Sequence, residues 1–239
     1  MPNIFKNRDL ECPKLWTIVQ SGCILYLPEP IAADGPRVVM VRPKYFDMDK
    51  HSIPDVFKVG SMATDILLYE DDNAIVAGYE LILDLANIPT AVVLSFDPIF
   101  IKNITIMANK ISPTRMKGFH FLNVPSIFEK GFNMVKSVIT VKLRNRFFIH
   151  GSGYEKLYER IPRHILPKEY GGECDIETMK IHWTKKFKAH KNFYVEEECY
   201  GIIEENYEEA YRSKSNTGEQ GSSDDIFGVN GSFRKLSLD

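Results

Sequence analysis

The sequence lacks long apolar runs. No stretch approaches the roughly 18 consecutive apolar residues that a membrane-spanning helix needs, and the longest candidates, 79–85 and 90–96, are interrupted or ended by Asp84 and Asp97. The first twelve residues carry charges where a secretory signal peptide needs an apolar segment. The sequence therefore predicts a cytoplasmic protein without a membrane-spanning helix.

Cysteine is scarce, and its spacing matches no metal or redox motif. The chain has four cysteines, Cys12, Cys23, Cys174 and Cys199. None forms a CxxC pair, and none has a histidine nearby at zinc-ligand spacing. We expect four free thiols in a reducing compartment, and neither a metal nor a cofactor.

Motifs typical of common enzymes are also missing from the sequence. It contains no GxSxG elbow, no P-loop, no HExxH and no GxGxxG after a predicted strand. The six histidines are scattered without metal-ligand spacing. Two of them, His120 and His150, fall in predicted strands, where a hydrogen-bonded structural imidazole is expected. The sequence therefore favours a protein that is not an enzyme.

What the sequence does have is an uneven distribution of charge. The whole chain carries a net charge of only −2. Residues 101–146, however, contain nine basic residues and a single acidic residue, Glu129, so that this stretch carries +8 and the rest of the chain −10. Such an asymmetry predicts a basic face that meets an anionic partner. A lysine-rich helix surface exposed to solvent is the alternative.

Four short segments predict β-strands because they are rich in branched or aromatic residues and are bounded by turn or polar residues. They alternate with segments of helical period, which favours an α/β architecture over an all-β sandwich. The predicted strands are Arg37–Arg42, Tyr79–Leu85, Gly118–Leu122 and Arg146–His150.

Two amphipathic helices are predicted between these strands. Asp97 and Pro98 open the first as its N-cap and first helical residue, and Asn123 and Pro125 open the second in the same way. Each helix has a continuous apolar stripe opposite a polar face. The stripes consist of Phe100, Ile101, Ile104, Met107, Ala108 and Ile111 in the first helix, and of Ile127, Phe128, Phe132, Val135, Val138 and Ile139 in the second.

Two further helices are predicted outside this central region. One covers Gly153–Tyr170 with an interruption at Pro162, and one covers Asp175–Lys188. Each has helical periodicity or helix-start residues.

Composition divides the chain into three predicted regions. A short N-terminal region and linker covers 1–35, and the main domain covers 36–195. Acidic residues dominate after 196, and the segment 205–225 has too few apolar residues to form a core. We therefore predict an acidic, partly disordered C-terminal tail over 196–239.

Several motifs, in this order along the chain, resemble the CRAL-TRIO family of lipid-binding domains. They are Met116–Asn123 (MKGFHFLN), then Pro125 and its amphipathic helix, then Lys142–Arg146 (KLRNR) and Ile165–Glu173 (ILPKEYGGE). The resemblance covers about 36–188 and is strongest to the family's tocopherol-transfer and retinaldehyde-binding branch.

The resemblance implies a mixed β-sheet flanked by helices, with an apolar cavity closed by a mobile amphipathic helix. It also implies a structural role for Asp84. Members of the family normally begin with a separate helical domain. Region 1–35 resembles only the end of that domain, which implies a last helix over Cys12–Ser21 followed by an extended segment at 26–30. A shortened isoform or an incomplete sequence would have this form.

The cavity and its gate can be assigned to residues of this sequence. Alternation along the predicted strands places Leu81 and Leu83 on one face, together with Phe119 and Phe121. The helix stripe supplies a second wall. The candidate ligand pocket is Leu81, Leu83, Phe100, Ile104, Met107, Phe119 and Phe121. The resemblance makes the helix from Asn123 to Val141 the gate, whose candidate membrane-inserting residues are Ile127, Phe128, Phe132, Met134 and Val135.

The resemblance also gives the basic stretch a role. In the tocopherol-transfer branch, basic residues beside the gate bind a phosphoinositide headgroup, and the matching positions here are Arg115, Lys117, Lys142 and Arg146. Arginine suits this role because its guanidinium can hold a phosphate through two parallel hydrogen bonds.

Together these features predict a monomer that binds one hydrophobic molecule, a tocopherol, a retinoid or a similar lipid, and transfers it to or between membranes. It would associate peripherally and reversibly with phosphoinositide-containing membranes. The alternative is a lipid-sensing regulatory adaptor without net transport. No nucleic-acid partner is expected, because aromatic residues such as Phe119 and Phe128 follow core periodicity and not an exposed stacking pattern.

Overall fold

Five strands form one mixed sheet, in the order in which they occur along the chain. The structure is a computed structural model that describes residues 2–94, 113–125, 141–151, 153–197 and residue 200. The first strand pairs antiparallel with the second, and the other pairs are parallel. The strands are β1 Ile24–Tyr26, β2 Arg37–Val41, β3 Tyr79–Asp84, β4 Met116–Leu122 and β5 Phe147–Ile149.

Helices flank this sheet, which confirms the predicted fold class. They are α1 Pro2–Phe5, α2 Pro13–Ser21, α3 Ile53–Glu70, α4 Asp72–Ala77, α5 Thr90–Leu94, α6 Val141–Arg144, α7 Glu155–Tyr158, α8 Ile176–Ala189 and α9 Lys191–Glu197. The longest of them, α3, begins with a capping box in which the backbone N–H of Ser52 donates to the Asp55 carboxylate at 2.7 Å. Short 3₁₀ turns lie at Pro43–Tyr45, Arg163–Ile165 and Lys168–Tyr170.

Apolar side chains pack on both faces of the sheet. On one face, α2, α3, α8 and α9 contribute a core that includes Val39 and Tyr26 of the sheet. On the other face, the chain from Leu157 to Met179 packs against Leu25, Val38, Met40, Ile82 and Leu122. Strands that are covered on both sides carry few polar residues, and the central residues Val38, Met40 and Ile82 are fully buried.

The four predicted strands are confirmed, with ends that differ by no more than two residues. The helices predicted at Cys12–Ser21 and Asp175–Lys188 are confirmed as α2 and α8. The side chain of Asp175 caps α8 by accepting from the backbone N–H of Thr178 at 2.8 Å. The short strand β1, Ile24–Tyr26, was not predicted, and it shares only Tyr26 with the predicted extended segment 26–30.

The helix predicted over Gly153–Tyr170 is wrong. This segment contains the four-residue helix α7 and two 3₁₀ turns. Pro162 and Pro167 have no N–H to donate and their rings obstruct the preceding turn, so a continuous helix cannot form. Apolar residues of this segment, among them Ile161, are buried in the core of the second face.

The chain divides into two units, Met1–Glu198 and Cys199–Asp239, and every element named above belongs to the first. The helices predicted after Asp97 and after Pro125 lie almost entirely outside the described residues, and so does the predicted tail. The predicted domain boundaries stay predictions. Among the described helices, none is long and apolar enough to cross a membrane.

Candidate functional site

The four strand residues predicted to line the pocket share one face of the sheet. In the parallel pairing of β3 with β4, Leu81 lies beside Phe119 and Leu83 beside Phe121. All four side chains are only half-buried. This face therefore presents apolar surface that the described part of the chain does not fully bury.

Three phenylalanines form an aromatic cluster on this face. The ring of Phe119 lies 4.3 Å from that of Phe121 and 5.2 Å from that of Phe147, with the second pair T-shaped, and Phe121 lies 5.4 Å from Phe147. Such tilted and edge-to-face arrangements are favourable for aromatic rings. Sequence reasoning missed Phe147, which the parallel pairing of β4 with β5 places beside Phe119.

The remaining pocket and gate candidates lie outside the described residues. This is true of the pocket residues Phe100, Ile104 and Met107. It is also true of all the gate residues, namely Ile127, Phe128, Phe132, Met134 and Val135. The second wall of the cavity and the gate therefore stay predictions.

The basic residues predicted to bind a headgroup gather at the edge where β4 and β5 begin. Arg115 and Lys117 flank the first residue of β4 and are exposed. Arg146 precedes β5, and it donates from its guanidinium to the carbonyl of Met116 while its own carbonyl accepts from Phe119 N–H at 2.7 Å. The strands are parallel, so their starts meet at one edge, and three of the four predicted residues are neighbours there.

The fourth residue, Lys142, lies in the short helix α6 that leads into β5, and the structure does not describe its side chain. Arg144 of the same helix is also exposed. We call Arg115, Lys117, Lys142 and Arg146 the basic edge.

The ILPKEYGGE motif, which carried much of the resemblance, lies on the opposite face of the sheet and has a structural role. Tyr170 donates from its hydroxyl to Asp84 at 2.6 Å, and both residues are buried. Burial, and then the bond to Asp84, raise the pKa of Tyr170 above its usual range, so the phenol stays a neutral donor. Asn123 donates to the other oxygen of Asp84 at 2.7 Å. The expected structural role of Asp84 agrees with these contacts.

The glycines of this motif are required by close packing. A Cβ on Gly172 would stand 1.9 Å from the carbonyl oxygen of Leu166, and Gly171 has a φ of +76°. Glu169 accepts at 3.1 Å from Arg42, whose guanidinium also donates twice to the carbonyl of Gly22. The motif thus links residues 165–173 to the ends of β2 and α2.

A cavity of about 220 Å³ lies near this motif, away from the apolar face of β3 and β4. Its walls include Arg42, Lys168, Glu169, Asp175 and Lys180. Such a charged lining does not suit a hydrophobic ligand, because apolar pockets carry only a few polar groups. The apolar face is therefore the better candidate for a lipid site.

The chemistry of the described side chains is not that of a metal centre. Within the ranges that the structure describes, no group of three or more histidine, cysteine, aspartate or glutamate side chains could hold a metal ion. Cys12, Cys23 and Cys174 are free thiols. Burial raises the pKa of Cys23 to about 12, so this thiol is unreactive.

The mixed sheet flanked by helices is the architecture that the resemblance implies. The family model described as the CRAL/TRIO domain matches residues 22–172. The chain belongs to the CRAL/TRIO domain family, as its motifs predicted.

The chain is also similar to individual proteins. It is 29% identical over 204 residues to the human alpha-tocopherol transfer protein-like protein, an alignment covering 84% of this chain and 57% of that protein. It is 25% identical over 138 residues to rat clavesin-1, covering 58% of this chain and 39% of that protein. The chain thus spans a little over half the length of the first of these relatives.

A solved structure, that of Sfh5, is also similar to this chain. The two share 16% sequence identity with a TM-score of 0.48, over 67% of this chain and 60% of that one.

Proposed function

We propose that this chain binds one hydrophobic small molecule, a tocopherol, a retinoid or a similar lipid, and transfers it to or between membranes. The observation that carries the proposal is the apolar face built by Leu81, Leu83, Phe119 and Phe121, which is half-buried while the reverse face of the same strands is sealed. Covering each 100 Å² of such surface with a lipid contributes about 2.5 kcal/mol to binding. Membership of the CRAL/TRIO family and the names of the tocopherol-transfer relatives support the same function.

The basic edge provides the docking surface in this proposal. Arg115 and Lys117 are exposed and lie next to Arg146, so their charges add at one place on the surface. Clustered arginine and lysine favour a polyanionic lipid headgroup, and such attraction weakens with salt because exposed charges are screened. We propose that phosphoinositide-bearing membranes are the docking partner and that the protein associates with them reversibly.

The ligand is tested by native mass spectrometry of the purified chain, followed by organic extraction. We expect one stoichiometric lipid. The double variant Leu83→Glu/Phe121→Glu should lose it, because two carboxylates would be brought against the lipid. Val76→Glu, at a side chain that is 75% exposed, is the control and should retain it. A folded wild-type protein that carries no lipid and binds none from mixed vesicles would refute the proposal.

Docking and transfer are tested with vesicles. Arg115→Ala/Lys117→Ala should weaken sedimentation with vesicles containing phosphatidylinositol bisphosphate by about tenfold, and should leave bound lipid unchanged. The matched control is Lys50→Ala/Lys185→Ala, which removes two exposed lysines elsewhere. Equal binding by both variants would remove the basic edge from the proposal. Lipid binding and docking without movement of lipid between vesicles would favour the sensing adaptor instead.

A further inference from the structure

Three buried titratable side chains contact one another in a row across the sheet, on the face opposite the proposed lipid site. Glu80 of β3, His120 of β4 and His150 at the end of β5 are 5%, 0% and 5% exposed. Glu80 Oε2 lies 2.6 Å from Nε2 of His120, and Nδ1 of His120 lies 2.9 Å from Nε2 of His150. The two imidazole rings are nearly parallel, with an angle of 13° between their planes.

The sheet leaves space for this row of side chains at Gly118. Gly118 lies beside Glu80 in the pairing of β3 with β4, and a Cβ at this position would stand 2.8 Å from Glu80 Oε2 and 3.0 Å from His120 Nε2. Glycine therefore leaves the space in which the carboxylate and the imidazole meet. The glycine of the MKGFHFLN motif makes room for the contact between Glu80 and His120 and is not part of a turn.

Among the described residues, the charged side chains close to the histidine pair include Glu80, Arg160 and Lys156. Glu80 also accepts from Arg160 at 3.3 Å, and the Arg160 guanidinium lies 4.1 Å from the centroid of the Phe148 ring. Lys156 and Arg160, from the segment packed over β5, add positive charge near His150. Burial opposes ionisation of Glu80, but the bond from His120 and these positive charges outweigh it and hold the pKa of Glu80 below its usual range.

Only one hydrogen atom fits between Nδ1 of His120 and Nε2 of His150. Because Glu80 is ionised, Nε2–H of His120 donates to it, and Nδ1 of a neutral His120 accepts from Nε2–H of His150. If His120 is protonated, it donates from Nδ1 to a neutral His150. With both rings protonated, two N–H groups would point at each other across 2.9 Å, and the contact must break.

The contact between His120 and His150 helps to hold β5 on the sheet, because His150 directly follows this strand. That strand is only three residues long and pairs with β4 through three residue pairs. The backbone N–H of His150 donates to the carbonyl of Phe121 at 3.0 Å, and its side chain adds the bond to His120. A Cβ added to the next residue, Gly151, would meet nothing within 4 Å, and Gly153 has a φ of +95°. The histidine pair thus holds a short strand that has a glycine-containing segment directly after it.

We propose that Glu80, His120 and His150 form an acid-labile latch, in which entry of a second proton onto the imidazole pair separates His150 from His120 and loosens β5 from the sheet. Arg146 precedes β5 directly and would move with it. The latch is independent of the proposed lipid function, since its geometry lies on the other face of the sheet.

The pH range of the latch follows from the environment of His150. Burial, then the nearby His120, Lys156 and Arg160, lower the pKa of His150 to about 4 from its ordinary value of 6.5. The second proton therefore enters only in acid, and the latch is closed at neutral pH.

Hydrogen exchange of the full-length chain tests the latch. Between pH 7 and pH 4, after correction for the intrinsic exchange rate, amide protection in 147–150 should fall at least tenfold more than in 37–41. In His150→Gln, whose amide can donate to His120 Nδ1 without titrating, this difference should disappear. His182→Gln, at an exposed histidine of α8, should behave as wild type. Equal loss of protection in both strands, or an unchanged response in His150→Gln, would overturn the proposal.

A measurement on the wild-type protein keeps the test decisive if His150→Gln does not fold. The ring protons of His120 and His150 can be followed by NMR as the pH is lowered. A midpoint near pH 4 for His150 that coincides with loss of the β5 amide protection supports the latch. A midpoint at the ordinary 6.5 refutes it.

Discussion

Tyr170 donates a hydrogen bond of 2.6 Å to the carboxylate of Asp84, a residue 86 positions earlier in the chain. The bond joins the 3₁₀ turn of the ILPKEYGGE motif to the end of β3, and the same carboxylate accepts from Asn123 and from the backbone of Ala86. One buried carboxylate thereby fixes three chain segments.

Replacing Tyr170 with phenylalanine should destabilise the protein by about 1–3 kcal/mol, because it leaves a buried carboxylate oxygen without its donor. The free energy of unfolding in urea measures this. Tyr69→Phe is the matched control, since Tyr69 is 72% exposed, and it should change the stability by less than about 0.5 kcal/mol. Equal stabilities of the two variants would mean that the Tyr170 bond contributes little.

Glycine at position 118 is required by the side chain of Glu80. Gly118→Ala places a Cβ 2.8 Å from Glu80 Oε2 in a buried site, and we expect a loss of about 1–3 kcal/mol from overpacking. At Gly151 nothing lies within 4 Å of an added Cβ, so Gly151→Ala should be close to neutral. Thermal unfolding of the two variants side by side is the measurement, and a neutral Gly118→Ala would contradict the packing argument.

Stability should decline as the pH falls from 6.5 towards 4. The folded-state pKa of His150 is lowered to about 4 from 6.5, so in this range the unfolded chain binds a proton that the folded chain does not. The contribution is complete above pH 6.5 and is lost as the pH approaches 4, by up to about 3 kcal/mol. The lowered pKa of Glu80 acts in the same direction.

Urea unfolding at a series of pH values checks this slope. His150→Gln removes the titrating imidazole and should flatten the curve between pH 6.5 and 5, where ionisation of carboxylates changes little. A variant as steep as the wild type in that interval would assign the acid sensitivity to other groups.

The two partners of the ion pair between Arg42 and Glu169 should contribute very differently to the stability of the protein. The side chain of Arg42 is 2% exposed and that of Glu169 is 48% exposed. Arg42→Met should cost about 3 kcal/mol or more, because the carbonyl of Gly22 loses both of its guanidinium donors. Glu169→Gln should cost less than about 1 kcal/mol, as is usual for a half-exposed partner. Calorimetric melting measures the loss of stability in each variant, and equal losses in Arg42→Met and Glu169→Gln would contradict this expectation.

The sequence by itself determined the local elements and the family. Alternation in strands such as Tyr79–Leu85 fixes which side chains share a face, because successive residues point to opposite sides. The start signals of α8 and the order of the MKGFHFLN and ILPKEYGGE motifs were equally readable. The helix predicted over Gly153–Tyr170 failed because its apolar spacing comes from turns packed on the sheet, which local periodicity cannot distinguish from a helix.

Only the tertiary structure decided which distant residues meet. Nothing in the sequence pairs Glu80 with His120 and His150, because such contacts depend on strand order and register and not on spacing along the chain. The same is true of Tyr170 with Asp84, and of Phe147 with the predicted face of Phe119. Local sequence sets the direction of each side chain within its element, while the partner it faces is set by how the parallel strands align.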